Sequence, residues 1–557
     1  MDTLSKEYQK KTQQIIDLTF KTLTEAQENY RQRLIQEQEE IEQNLSRQIP
    51  EFQLEQQLLA IDSSAVASQL PKGSTLLEFV RFNEYNFQAI LTHGDSAWKP
   101  ARYLAFILPA GQPEQLQMID LGEAENIDRL IQVFRENIIQ GKSDSFGRMI
   151  TKKIPSQKEI DEIKANPELD EVFQNKQELK KVVLDPILEY LPADNQKIII
   201  APDGELNLLP FELLPLSTDS YLMDKYSIRH LNVGRDLLRL KFPTTSQPTE
   251  PLIIGNPDYN LTDETTGIFL DTATETNSST ETIYADIRES QGIFTPIPGT
   301  DLEAEKIAQY LKVTPQTREN ALKSLVKSQV SPRILHIATH GYFLSVESLN
   351  LLRDTSFSQL NTLNRAGIQN FQNPLLRAGL AFAGVNTVLK GGRVPAAAEN
   401  GILTGQDIVM LNLIATYLVV VSACGSGLGD IKIGESVHGL RHAFIQAGAK
   451  NLIISLWSVN DISTAILMSQ FYQYHLENKL PIGKALEKAK RYVRNLTIGE
   501  MRDTWLTEEI IEDVGKYSQG IQDHLRMLRD KSDKTPSDQP YKHPKYWGAF
   551  IYVGVED

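Results

Sequence analysis

One cysteine, Cys424, stands in 557 residues, and that scarcity excludes most of what cysteine does. No internal disulfide can form, and neither a four-cysteine nor a two-cysteine, two-histidine zinc cage can be assembled. Basic residues are outnumbered, with 57 Lys and Arg against 72 Asp and Glu, for a net charge of −15. That surplus of acid argues against a general nucleic-acid binder. Long apolar runs are missing as well. The longest, Tyr417–Val421 and Asn451–Trp457, have strand length and fall short of the ~18–20 residues that span a bilayer, so no membrane association is expected. The opening MDTLSKEYQKKTQQ lacks the apolar core of a secretory signal, and the expected compartment is the cytoplasm.

What is present reads as a globular protein. Hydrophobic residues make up 41% and charged ones 23%, and the length leaves room for roughly three or four units at about 100–200 residues each. Residues 1–70 are rich in Gln and Glu, with apolar residues at helical spacing, and predict amphipathic helices. Residues 71–245 alternate strand-like runs (Ser74–Phe82, Ala101–Leu108, Lys197–Ala201, Tyr226–Leu231) with helical patterns at Ile127–Ile139 and Glu178–Tyr190, an α/β unit. Polar stretches at 259–282 and 345–374 predict surface loops. From 246 to 557 strands and helices alternate again. The runs Arg333–Thr339 and Thr416–Ala423 are apolar nearly throughout, as strands buried on both faces of a parallel sheet must be. Such sheets carry their chemistry at the carboxyl ends of the strands.

Both chemistry-bearing motifs sit there. Arg333–Gly341 ends in His340 and Gly341, and Tyr417–Gly427 runs through VVVSACGSG with Cys424 near its end. If the two strands are neighbours, imidazole and thiol meet in one crevice. A cysteine nucleophile needs that arrangement, because the thiolate reacts and a nearby imidazole generates it and later protonates the leaving amine. The N–H groups of Gly341 and Cys424 are the candidate oxyanion donors. By position alone a cysteine ending a buried strand is as readily a small core residue. Spacing leaves both readings open.

HIATHG with VSACGSG resembles the caspase-related cysteine peptidases of clan CD, and within them the CHAT peptidases, the bacterial relatives of separase. Further segments follow in that family's order: Ile200–Glu212 (IAPDGELNLLPFE), Ile297–Thr300 (IPGT), Gly401–Thr404 (GILT), Ser455–Asp461 (SLWSVND) and His543–Phe550. The resemblance covers about residues 71–557. It implies a caspase–haemoglobinase-like α/β fold, a mostly parallel sheet flanked by helices. A peptidase-like α/β unit at 71–245 and the N-terminal helices would precede the catalytic domain at 246–557. It implies a cysteine endopeptidase that cleaves a protein substrate through a thioester, with Cys424 as nucleophile and His340 as general base and acid.

The SLWSVND segment is similar to the separase segment whose last Asp lies in the pocket for a basic residue before the scissile bond. That carries Asp461 over as a substrate-binding residue, against the plainer reading of Asp461, Asn460 or Ser463 as a helix cap. One departure stands out: Gly425-Ser426-Gly427 follows the cysteine where the family commonly has an acidic or polar residue and Thr, which predicts a wider cleft. No cofactor and no metal are expected. The His336/His340 pair lies on a strand, roughly 13 Å apart at four residues and too far for one ion, so His336 is read as a core histidine. His438 and His442 lack a third ligand, and GSGLGD lacks the last glycine of a dinucleotide loop. The N-terminal helices are the expected contact for a regulatory protein partner. The rival readings are a non-catalytic peptide-binding scaffold of the same fold and an enzyme acting on a small acyl substrate.

Overall fold

The computed structural model describes residues 61–89, 96–140, 174–217, 220–239, 246–263, 294–343, 375, 378–425, 433–515, 519–530 and 535–555, with scattered helical positions before residue 42. Most of the expected N-terminal helices therefore lie outside the described residues, as do the loop at 345–374 and most of that at 259–282. Of residues 61–70, α1 (Ser63–Gln69) is helical, capped by Asp62, whose carboxylate accepts the Ala65 N–H at 2.8 Å.

The first half contributes β1 (Ser74–Phe82), β2 (Arg102–Pro109) and β3 (Gln117–Glu123), an antiparallel meander. α2 (Ala124–Ile139) follows, and its Ile127, Leu130, Ile131, Phe134 and Ile138 recur at helical spacing and are buried. β4 (Lys197–Ala201) then runs parallel to β1. A short ribbon, β5 (Pro215–Ser217) and β6 (Ser220–Tyr221), precedes β7 (Ser227–His230), which runs parallel to β4.

The second half adds β8 (Leu252–Pro257), α3 (Gly299–Leu311), β9 (Gln316–Arg318), β10 (Ile334–Phe343), β11 (Ala378–Ala381), β12 (Ile402–Thr404) and β13 (Leu418–Gly425). After these come α4 (Ile433–Gln446), β14 (Leu452–Ser455), α5 (Asp461–Tyr472), α6 (Ile482–Asn495) and β15 (Phe550–Val553).

All strands but the ribbon join one sheet of 13, in the order β12-β11-β10-β13-β14-β15-β7-β4-β1-β2-β3, with β8 on β10 and β9 on β8. Parallel pairs predominate, and helices cover the sheet, which is the α/β architecture expected from the sequence. The two units drawn at the 245/246 boundary do not have separate sheets. The last strand, β15, lies beside β7, where Val553 faces His230 and the Gly554 N–H reaches the His230 carbonyl at 2.9 Å. Among the described residues no helix is long and apolar enough to cross a membrane.

Burial explains the order. Ile198–Ile200, Val419–Val421 and Leu452–Ile454 are essentially inaccessible, so their strands lie inside the sheet. Helix α5 is buried at every residue from Ile462 to Tyr472, because it is packed between α3 and α6. β10 runs three residues past His340, since Gly341–Phe343 pair antiparallel with β11. The strand end expected at His340 is instead the point where the β10 partner on that side changes from β8 to β11.

Candidate active site

β10 and β13 are parallel neighbours over the whole of β13, from Ile334↔Leu418 to Gly341↔Gly425, and His340 is paired with Cys424. The two residues singled out in the sequence, 84 positions apart, thus occupy one register position on adjacent strands.

The surroundings of His340 determine its chemistry. Its Nε2 stands 2.7 Å from the Thr295 carbonyl, which can only accept, so Nε2 carries the proton. Nδ1 is then the lone-pair nitrogen. It is buried and has no hydrogen-bond partner among the described residues. The rings of Tyr259 and Phe294 flank the imidazole at 5.3 and 5.6 Å between centroids. Burial lowers the His340 pKa below its ordinary 6.5, and the Thr295 bond opposes that only in part. A neutral imidazole with a free basic nitrogen results. Beneath it, Thr339 Oγ1 donates to the Ala381 carbonyl at 2.5 Å and receives the Tyr259 hydroxyl at 3.0 Å, fixing the strand that bears the histidine.

Thr295 went unnoticed in the sequence because it acts through its backbone. The signal for it is the IPGT segment just downstream. Asn256, at the end of β8, clamps that turn: its N–H donates to Thr300 Oγ1 at 2.8 Å and its Oδ1 accepts the Ile297 N–H at 3.1 Å. Gly299 is required for close approach, since a Cβ there would lie 2.3 Å from the Asp461 Cβ. IPGT therefore holds Thr295 under the histidine and opens α3 against Asp461.

Asp461 is the first residue of α5 but not its cap. Asn460 takes that role, its side chain accepting the Ser463 N–H at 3.0 Å. The Asp461 carboxylate instead accepts the Gly299 N–H at the N-terminus of α3. Burial and the nearby Glu303 raise its pKa to about 6. Glu303 is itself buried, and its Oε1 stands 3.0 Å from His336 Nε2 while its Oε2 accepts Ser422 Oγ at 3.2 Å. His336 Nδ1 stands 3.2 Å from the Tyr472 hydroxyl. His336 is thus the satisfied core histidine its strand position suggested. Glu303, which pattern reading passed over, ties β10 and β13 together from α3. Among the described residues no three His, Cys, Asp or Glu side chains converge as a metal site would require.

Residues 175–555 match the family model described as the CHAT domain, starting inside the first α/β unit and taking in every residue named above. Tetratricopeptide repeat protein 28 of Homo sapiens is 25% identical over 324 residues, covering 54% of this chain and 11% of that protein. Its Mus musculus counterpart is 24% identical over 311 residues, with the same coverage. The chain spans about a tenth of the length of these relatives. Two crystal structures of the Saccharomyces cerevisiae separase–securin complex are 11% identical, with TM-scores of 0.36 and 0.35. They cover 88% and 89% of this chain and 30% and 31% of theirs. By the family match over most of its length, the chain belongs to the CHAT domain family.

Proposed function

We propose that this chain is a cysteine endopeptidase with Cys424 as nucleophile and His340 as general base and acid. The observation that carries the reading is the pairing of Cys424 with a histidine whose Nε2 is committed to a carbonyl and whose buried Nδ1 has no partner among the described residues. In the first step the thiol proton passes to Nδ1 and the thiolate attacks the substrate carbonyl. The imidazolium then protonates the leaving amine as the C–N bond breaks, which leaves a thioester. Water, deprotonated at the same nitrogen, adds to the thioester, and the thiol is released with the new carboxylate.

Backbone direction supports Gly341 and Cys424 as oxyanion donors. The Leu418 N–H points to the Arg333 carbonyl and the Val419 N–H to Asn451, so even-numbered residues of β13 turn their N–H groups toward β10. Odd-numbered residues of β10 turn theirs toward β13. The N–H groups of Gly341 and Cys424 therefore face the same gap. In the ladder such donors meet carbonyls of the facing strand, and an oxyanion held there replaces those acceptors.

Asp461, partly exposed and largely ionised at pH 7, is the proposed contact for an Arg or Lys before the scissile bond. A protein substrate, a regulatory protein on the N-terminal helices and a cytoplasmic setting complete the reading. The test compares the native chain with Cys424→Ala on a peptide library carrying Arg or Lys before the cleaved bond. Cleavage dependent on Cys424 is expected. Its absence under every activating condition tried means a binding scaffold rather than a peptidase.

A further inference from the structure

Ser455 is the last residue of β14 and is 4% exposed. The β13–β14 ladder ends at Val421↔Ile454. Beyond it the ladder to β13 stops, while the pairing toward β15 goes on, with the Leu456 N–H donating to the Ala549 carbonyl at 2.8 Å. The alternation that turns the Cys424 N–H toward β10 turns the Ala423 carbonyl toward β14, where no ladder donor remains. The Ser455 hydroxyl fills that place, donating to the Ala423 carbonyl at 2.7 Å. Behind it Arg135 of α2, 5% exposed, donates from Nη2 to the Leu456 carbonyl at 3.1 Å and fixes the chain where the ladder to β13 stops.

Ala423 C=O and Cys424 N–H belong to one planar trans peptide and point in opposite directions, so pinning the carbonyl aims the N–H. A hydrogen bond at the carbonyl also polarises the amide and strengthens its N–H as a donor. We infer that Ser455 is a positioning residue, which orients and strengthens the Cys424 N–H for a negatively charged oxygen from the opposite side of the peptide, with Arg135 holding Ser455 in place. This rests on the reading of Cys424 as a nucleophile and of its N–H as an oxyanion donor. It adds why the strand beside the nucleophile ends in a hydroxyl-bearing residue.

The single thiol allows a test that needs no peptide substrate. With p-nitrophenyl acetate, the Sγ–acetyl bond forms through a tetrahedral oxyanion as p-nitrophenolate leaves and the thiol proton passes to His340. With iodoacetamide, an Sγ–C bond forms as iodide leaves, without such an oxyanion. Both reactions depend equally on thiolate content and access, so their rate ratio reports the oxyanion donor.

Ser455→Ala is expected to lower acetylation about tenfold relative to alkylation, a fraction of the loss when an oxyanion donor is removed outright. Ser455→Thr, which keeps the hydroxyl, is expected to recover most of the ratio. An unchanged ratio in Ser455→Ala, or equal loss of both rates, overturns the inference, because a purely structural role moves the two reactions together. Should Ser455→Ala lose its cooperative unfolding transition, Arg135→Met takes its place. A ratio lowered about threefold then supports the inference and an unchanged one refutes it. A native chain that is acetylated at Cys424 yet cuts no peptide ends the peptidase reading and leaves this ratio interpretable.

Discussion

Two histidines of this protein sit in comparable positions, one in each half, and their surroundings differ in charge. His230 ends β7, paired with Ile200 of the parallel neighbour β4, much as His340 is paired with Cys424 of β13. Around His230, however, lie charges rather than an open face. Its Nε2 stands 3.4 Å from Glu212 Oε1, and the Lys490 ammonium from α6 stands 3.7 Å from the same oxygen. Burial works to raise the Glu212 carboxyl, and Lys490 with His230 outweigh it, bringing it down to about 2. Burial keeps His230 below its ordinary pKa despite the carboxylate.

This cluster joins the halves. Glu212 and His230 come from the first and Lys490 from the second, and nearby Arg229 Nη1 reaches Glu487 of α6 at 2.8 Å. Arg441 of α4 crosses the other way to the Leu231 carbonyl. The difference lies at Nε2, which faces a neutral carbonyl in His340 and a carboxylate in His230, while both Nδ1 atoms are buried without a hydrogen-bond partner among the described residues. Inside its ion cluster His230 is part of the frame.

The largest expected effect separates the two histidines directly. His340→Ala should lower Cys424-dependent cleavage by about 10²–10⁴-fold, the usual loss on removing a general base. His230→Ala should leave the rate per folded molecule within about threefold while lowering the urea midpoint. Equal rate losses in both would abolish the distinction.

Next comes the cluster itself. Lys490→Met leaves the Glu212 carboxylate buried without its ammonium and should cost about 3–5 kcal/mol in urea unfolding. Glu212→Gln added to Lys490→Met should recover at least half, since the unpaired charge is then gone. No recovery would mean that Lys490 acts through packing alone.

The smallest effect concerns the half that carries Cys424 and is read by pH. The Asp461 carboxyl, raised to about 6, takes up a proton as pH falls through that value. KM for peptides with Arg or Lys before the cleaved bond should rise several-fold between pH 7 and 5.5. Asp461→Asn should remove the KM dependence. A KM that titrates unchanged in that variant assigns the basic preference elsewhere.

Much of the frame was legible because burial on both faces leaves a simple trace. Ser74–Phe82 and Lys197–Ala201 match their strands residue for residue, and β13 starts two residues after the expected Thr416–Ala423 and ends two residues beyond it, at Gly425. Strands of only three or four residues, such as β11 and β12, were not legible. AGLA in β11 and ILT in β12 form strands because the extension of β10 past His340 offers them an edge. In the site, His340, Cys424 and Asp461 could be named from motifs, since each bears a distinctive side chain. Thr295 acts through its carbonyl, which any residue possesses. Ser455 and Glu303 are ordinary residues whose roles exist only through partners 32 and 119 positions away.

By itself the sequence determined that the chain has one thiol, no internal disulfide and strands buried on both faces, and it named His340 as the candidate partner of that thiol. Composition and local pattern decide those properties wherever the elements dock. Tertiary structure alone decided that both halves share one sheet. It decided which nitrogen of His340 is open, and that His230 lies against a buried carboxylate that also faces an ammonium. Each of these depends on which distant groups are brought within a few ångströms, and hydrogen bonds and desolvation act only at that range.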